Sequence, residues 1–275
     1  MNKEDYFIKQ FAKSKYIGDD GAVVGKYVYS MDAFFENVHF KEEWMSLKQI
    51  ARKSMLVNIS DAIVMNAKPK YALLTVAIPP YFTQKQMDKL ASGFKSAAEE
   101  FGIEIIGGDT ISNIKLDISV TIISVTSKPT LRSGSDIGDL VCYTGELGSV
   151  KKDLDKLIKG KKISKDSKFI KPVLNPDFFY EIAPFIKSTM DISDGLFFEL
   201  ERLSKANNLG FEFFESISVN TGCSGEEYEV LFSFDKKDKK KINKIAKKHN
   251  IKLNIFAKTV EGSYHCPCTN HHFKK

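Results

Sequence analysis

The chain has 275 residues, 43% of them hydrophobic, with four cysteines and a formal net charge of +6. That is enough apolar material for a sizeable core in one or two domains, while the longest apolar runs, such as Ile118 to Val125, fall far short of the roughly 20 helical residues that span a bilayer. The start, Met1-Asn-Lys-Glu-Asp-Tyr6, lacks the apolar core of a signal peptide, and so few cysteines imply no disulfide framework and a reducing cytoplasm.

In chain order, Asp5 to Phe11 reads as a helix, and Ile17-Gly-Asp-Asp20-Gly as a turn into a strand over 22–31 that Asp32 closes. His39-Phe40 follows in a loop. Ser46 is a good N-cap for a helix with Leu47, Ile50, Ala51 and Met55 on one side, running out at Asn58-Ile-Ser-Asp61. Tyr71 to Ile78 is a continuous apolar strand. Thr83 and Gln86 form a capping box for the next helix, which Gly102 ends. Ile103-Glu-Ile-Ile-Gly-Gly-Asp109-Thr110 then reads as a buried strand that stops at an exposed carboxylate, where α/β proteins place ligands. Leu116 to Val125 alternates as a further strand.

A polar, glycine-bearing joint around Arg132-Ser-Gly-Ser-Asp-Ile-Gly-Asp139 separates two halves, with the boundary placed near residue 136. The second half opens with a strand at Leu140 to Tyr143 and a turn at Thr144 to Gly148. A charged helix and loop over Lys151 to Lys171 follow. Thr189-Met-Asp191-Ile-Ser-Asp194-Gly195 precedes a helix, in which Asp194 is the residue most like a cap. Strands are expected at Phe211 to Phe214 and, after Gly225-Glu226-Glu227, at Tyr228 to Phe234. The fold class is α/β (α+β).

The positive charge concentrates at Lys151 to Lys171 and Lys236 to Lys248. In the second run Ile242, Ile245 and Ala246 mark a buried stripe, so the lysines coat the solvent face of a helix. No aromatic residue interleaves with them, which argues against a stacking platform for nucleic acid. Walker, zinc-protease and serine-elbow signatures are absent. What remains is a series of aspartates at apparent turns: Asp20, Asp32, Asp61, Asp109, Asp191 and Asp194. Each alone can be a turn former or cap. Together they suit oxygen ligation of magnesium, because converging like charges need a cation between them.

Several short motifs share one order with a known family. They are Ile17-Gly-Asp-Asp20, Ser30-Met-Asp32 with His39-Phe40, Asn58-Ile-Ser-Asp61, Gly107-Gly-Asp-Thr110 and Arg132-Ser-Gly with Gly138-Asp139. Tyr143-Thr-Gly145, Asp191-Ile-Ser-Asp-Gly195-Leu196 and Gly225-Glu-Glu-Tyr-Glu229 complete the set. The ordered series resembles thiamine-monophosphate kinase, within the superfamily of aminoimidazole ribonucleotide synthetase and selenophosphate synthetase.

The resemblance implies a two-domain fold like aminoimidazole ribonucleotide synthetase, with the N-terminal sheet at the core of a homodimer. It implies a cytoplasmic enzyme that transfers the γ-phosphoryl group of ATP to thiamine monophosphate. Carried over by position, Asp20, Ser30, Asp32, Asp61, Asp109, Asp191 and Asp194 would hold several magnesium ions, with the Met31 carbonyl helping. Gly108, Asp109, Arg132 and Ser193 would contact ATP, and His39 and Glu226 the thiamine substrate. No general base is expected, since the attacking phosphate oxygen is already ionised near pH 7. Neither nucleic acid nor membrane is expected as a partner.

Departures from the family pattern fall on the acceptor side. The segments after Gly148 and between Phe214 and Gly225 are short, Glu227 replaces an aspartate, and an arginine is missing around Asn175-Pro-Asp-Phe. The ending, Asn270-His-His-Phe273, matches only in part. His265-Cys266-Pro-Cys268 with His271-His272 admits a zinc reading, although structural zinc sites space their cysteines more widely. The rival readings are another ATP-using member of the superfamily with a different small acceptor and, from a different class, a non-catalytic polyanion binder. Selenophosphate synthetase is the weaker rival, because no reactive cysteine precedes Cys142.

Overall fold

In the computed structural model, which describes residues 3–11 and 13–269, a short helix α1 (Lys3–Ile8) leads into the loop that carries Asp19 and Asp20. β1 (Ala22–Val24) turns at Gly25 into β2 (Tyr27–Phe35), so the single strand expected over 22–31 is an antiparallel hairpin. Next come α2 (Leu47–Val64), β3 (Lys68–Ile78), α3 (Gln84–Phe101), β4 (Glu104–Ser112) and β5 (Asp117–Val125). The first sheet has the order β1-β2-β5-β3-β4 and is antiparallel except for the β3–β4 pair. Along β2, buried Val28, Ser30 and Phe34 alternate with exposed Tyr29, Met31 and Phe35. One face of the sheet therefore packs against α2, and the other is open. Asp32 does not close this strand. It sits inside it, opposite Val120, with its side chain on the α2 side.

The expected capping box of Thr83 with Gln86 starts α3, and Ser46 caps α2 as expected, with Gln49 completing a second capping box. Gly102 ends α3 in the left-handed conformation. α2, however, does not run out at Asn58-Ile-Ser-Asp61. It continues to Val64, because Asn58, a poor helix former, has its side chain fully employed. Its amide oxygen accepts from Ser30 Oγ on β2, and its amide nitrogen donates to the Val120 carbonyl on β5. Tertiary bonding thus overrides a weak helix propensity.

The strand around Gly107-Gly-Asp109 also differs from expectation. β4 is an edge strand with every residue exposed, and it runs through Asp109 to Ser112. Its glycines serve packing within the sheet. A Cβ on Gly108, which has φ +147°, would lie 1.8 Å from the Leu74 carbonyl oxygen, and a bulge falls between the pairs Ala72–Ile105 and Leu73–Gly107.

The second half comprises β6 (Leu140–Thr144), α4 (Ser149–Ile158), α5 (Pro176–Ile182), β7 (Ile186–Asp191), α6 (Leu196–Asn207), β8 (Leu209–Phe213), α7 (Val219–Gly222), β9 (Val230–Phe234), α8 (Lys239–Lys248) and β10 (Leu253–Glu261). Its sheet has the order β7-β9-β6-β10-β8, with every pair antiparallel. On α8, Ile242 and Ala246 are buried beneath a lysine face. The boundary expected near 136 falls in the segment joining the two sheets, yet one apolar cluster joins Phe34, Ile50 and Met55 of the first half to Phe169, Phe178 and Phe232 of the second. Against the expectation of no disulfides, Cys223 and Cys268 are bonded, tying the 264–269 segment to α7. Among the described residues no helix is long and apolar enough to cross a membrane.

Asn58→Ala removes the amide that joins Ser30 Oγ to the Val120 carbonyl and leaves the hydroxyl only its longer bond to the residue 58 carbonyl, at 3.4 Å. The expected loss is about 2–4 kcal/mol, read as a lower Tm in thermal melts. An unchanged Tm would mean that the α2 contact to the first sheet does not depend on this side chain.

Candidate active site

Three segments meet beneath the first sheet: the 18–20 loop, the last turns of α2, and the loop that leaves β7. Carboxylate oxygens of Asp20, Asp61 and Asp191 all lie within 4.8 Å of one another. Asp32 reaches in from β2 and hydrogen-bonds with Asp61, while Ser60 hydrogen-bonds with Asp191. Two arginines act as internal counter-ions. Arg132 Nη2 is 2.5 Å from Asp20 Oδ1, and Arg202 Nη2 is 2.5 Å from Asp194 Oδ2. Asp19, a weaker candidate ligand than Asp20, accepts from the Arg132 backbone N–H at 2.6 Å and so latches the loop.

Protein encloses these carboxylates almost completely, even though a sliver of Asp20, Asp32 and Asp61 remains accessible. Burial, followed by the charge of Asp32, Asp191 and Asp20, raises Asp61 well above the ordinary carboxylate range. Burial, then Asp20 and Glu199, does the same to Asp191. Asp32 is pushed up to about 6, chiefly by burial, against the hydrogen bond with Asp61. Well below pH 3.8 these groups are protonated in the folded and the unfolded chain alike. As the pH rises through 3.8 and past 6 the unfolded chain ionises first, so the cluster destabilises the fold. Asp191 Oδ2 is in addition buried with no hydrogen-bond partner. A cluster of hard oxygens with one orphaned atom fits a divalent cation such as magnesium.

The other residues singled out from the sequence lie around this centre. Ser30 is buried and donates to Asn58, and the Met31 side chain points to the open face. Asp194 is not a cap: Gly195 occupies the N-cap of α6, and Glu199 accepts the Asp194 backbone N–H. Ser193 lends its carbonyl to the Glu226 N–H at 2.5 Å. Asp109 is not brought to the cluster. It pairs with Thr75 in the row that passes through Ser119 to Ala33, on the open face opposite Asp32, three strands or about 14 Å from β2. Gly108 and Asp109 border a groove of about 610 Å³ whose apolar wall is Leu74, Val76, Leu90 and Phe94.

Of the two residues that the resemblance assigns to the acceptor, His39 accepts the Phe35 N–H at Nδ1 at 3.0 Å, and its ring stacks on Phe34. Glu226 is not a solvated turn residue. It adopts φ +56° and pairs with Lys53 Nζ at 2.7 Å. Glu227, the replacement for aspartate, turns the other way. It accepts from Ser224 Oγ and from the Gly148 and Val150 N–H groups at the start of α4, where a negative charge is favoured. Reading the sequence alone missed Lys53, Glu199 and Arg202. Lys53 is the most legible of these, as the second of two adjacent cations, Arg52-Lys53, before the apolar run Met55-Leu-Val57. The zinc reading loses Cys268 to the disulfide and Cys266 Sγ to the Cys268 N–H, and His271 and His272 lie outside the described residues.

Residues 18–126 match the family "AIR synthase related protein, N-terminal domain". A thiamine-monophosphate kinase of Nitrosopumilus maritimus is 33% identical over 222 residues, covering 74% of this chain and 72% of the relative. One of Bacillus subtilis is 32% identical over 218 residues, covering 73% and 67%. The chain belongs to the thiamine-monophosphate kinase family. The solved structure described as "AaThiL complexed with AMPPCP and TMP" shares the fold, with a TM-score of 0.83, 24% identity, and coverage of 96% of this chain and 94% of that one.

Asp61→Asn removes the buried ionisation without changing shape. With a chelator present, the variant should melt higher than wild type at pH 8, each kcal/mol relieved being worth about 2–4 °C in a domain of this size. The gain should largely vanish at pH 4. An equal difference at both pH values would exclude charge as its cause.

Proposed function

We propose that this chain transfers the γ-phosphoryl group of ATP directly to thiamine monophosphate, giving ADP and thiamine diphosphate, with magnesium held by Asp20, Asp61 and Asp191 and by Asp32 and Asp194 beside them. The observation that carries the metal reading is the mutual approach of three enclosed carboxylates with an unpartnered Asp191 oxygen. Family membership supports donor and acceptor: the fold neighbour is described with an ATP analogue and TMP. Bound magnesium supplies charge neutralisation between two polyanions and in-line alignment. The chain's own residues supply the rest. Arg132, clamped by Gly18 and Asp20, retains a buried Nε–H with no partner, a donor for a phosphate oxygen. His39 and Glu226 face the acceptor. The acceptor's phosphate oxygen is already ionised, so no side chain has to remove a proton. The reaction is assigned to the cytoplasm, where ATP is available.

The open sheet face supports a homodimer. Tyr29, Met31, Phe35, Tyr71, Leu73 and Ile111 are exposed on the open face of one sheet, an apolar surface larger than scattered single residues would make. A second copy is the occupant that suits it. In the dimer, Gly108 and Asp109 serve a nucleotide site shared between copies, with the base in the groove beside α3.

Asp32→Asn and Asp109→Asn should each abolish turnover at ordinary magnesium while the fold survives, assayed by mass detection of thiamine diphosphate. Near-wild-type activity in either variant would remove it from the site. Mixing inactive Asp61→Asn with inactive Asp109→Asn protein should restore about a quarter of wild-type activity, the statistical share of intact sites after subunit exchange. No recovery would put both residues in the same chain's site.

A further inference from the structure

We propose that Lys53 is a positioning residue for the acceptor: it fixes the direction of the Glu226 carboxylate and offsets its charge. The inference rests on the reading that Glu226 faces the acceptor. Lys53 is enclosed completely, with 0% of its side chain exposed, whereas Glu226 keeps 22%. The ammonium lies 2.7 Å from Glu226 Oε2, 4.1 Å from the ring centre of Phe169 and 5.6 Å from that of Phe34. Phe34 is the ring on which His39 stacks, at 5.5 Å. One buried cation therefore joins the two residues assigned to the acceptor, which come from opposite halves of the chain.

An apolar side chain would fill this position in α2 at lower desolvation cost. The lysine does what an apolar residue cannot. Glu226 follows Gly225 and itself adopts φ +56°, a backbone state that side chains rarely hold unless their surroundings impose it. Its N–H is tied to the Ser193 carbonyl, beside Asp191 and Asp194. Lys53 adds the second tie, at the far end of the side chain, and the two aromatic faces keep the ammonium from turning away. Since the pair is close to neutral, acceptor recognition depends on where the second Glu226 oxygen points, more than on net negative charge in the pocket.

Lys53→Met, Glu226→Gln and the double variant are compared as full-length protein, with thiamine monophosphate varied at saturating ATP and ATP varied at saturating acceptor. Lys53→Met should raise the acceptor KM about tenfold or more, leave the ATP KM unchanged and change kcat much less. On the Glu226→Gln background the same substitution should add nothing, and Lys53→Arg should recover part of the loss. Full additivity in the double variant, or equal changes in both KM values, would overturn the proposal by reducing Lys53 to a structural ion pair. A silent Glu226→Gln would instead sink the acceptor reading itself. A raised KM in Glu226→Gln with none in Lys53→Met would sink only the positioning role. If Lys53→Met does not fold, Phe169→Leu removes one aromatic face while keeping the charge. It should produce a smaller rise in acceptor KM that is absent on the Glu226→Gln background, and no rise at all would overturn the proposal.

Discussion

A helix buried on nearly every side has to find a partner for each polar group it carries, and α2 is such a helix. It packs under the first sheet, beside α3, and against β7 and α5 of the second half. Of its buried polar side chains, Ser54 returns to the Ala51 carbonyl, Asn58 joins β2 to β5, Ser60 meets Asp191, and Lys53 meets Glu226. Asp61 faces mainly other acids, relieved in part by the hydrogen bond with Asp32 and by the charge of Arg132. The two halves are therefore registered through polar matches on one helix, and the group whose surroundings are least favourable sits where the chemistry is placed. Local strain of this kind belongs at functional sites, since folding gains nothing from it.

Charge is arranged in the same spirit around the cluster. Arg132 and Arg202 each neutralise one flanking aspartate, at Asp20 and Asp194, and leave Asp32, Asp61 and Asp191 to one another. A second arrangement, away from the cluster, uses Lys168 between Glu227 and Glu229. Lys168 precedes Phe169, whose ring covers Lys53, so the short segment that follows α4 braces the Gly225–Glu229 loop from behind. Glu227 joins that bracing at both ends, reaching the Gly148 and Val150 N–H groups at the start of α4 and the Lys168 ammonium.

What the sequence determined by itself was whatever depends on local chemistry. Capping boxes at Ser46 and Thr83, the lysine face of α8 and the identity of the acidic motifs are set by neighbours within one or two turns, and short-range bonds form wherever the chain permits them. The family could be read for the same reason, since an ordered series of short motifs is a local property repeated along the chain. Tertiary structure decided what depends on residues far apart. It made α2 outlast Asn58 through partners on β2 and β5, and turned β4 into an exposed edge that continues past Asp109. It also put Asp109 on the face opposite Asp32, because face and row in a sheet are set by register and strand order, which no single strand records. Glu226 and Lys53 are 173 positions apart, so their pairing, and the burial that raises Asp32, Asp61 and Asp191, exist only once the two halves close on each other.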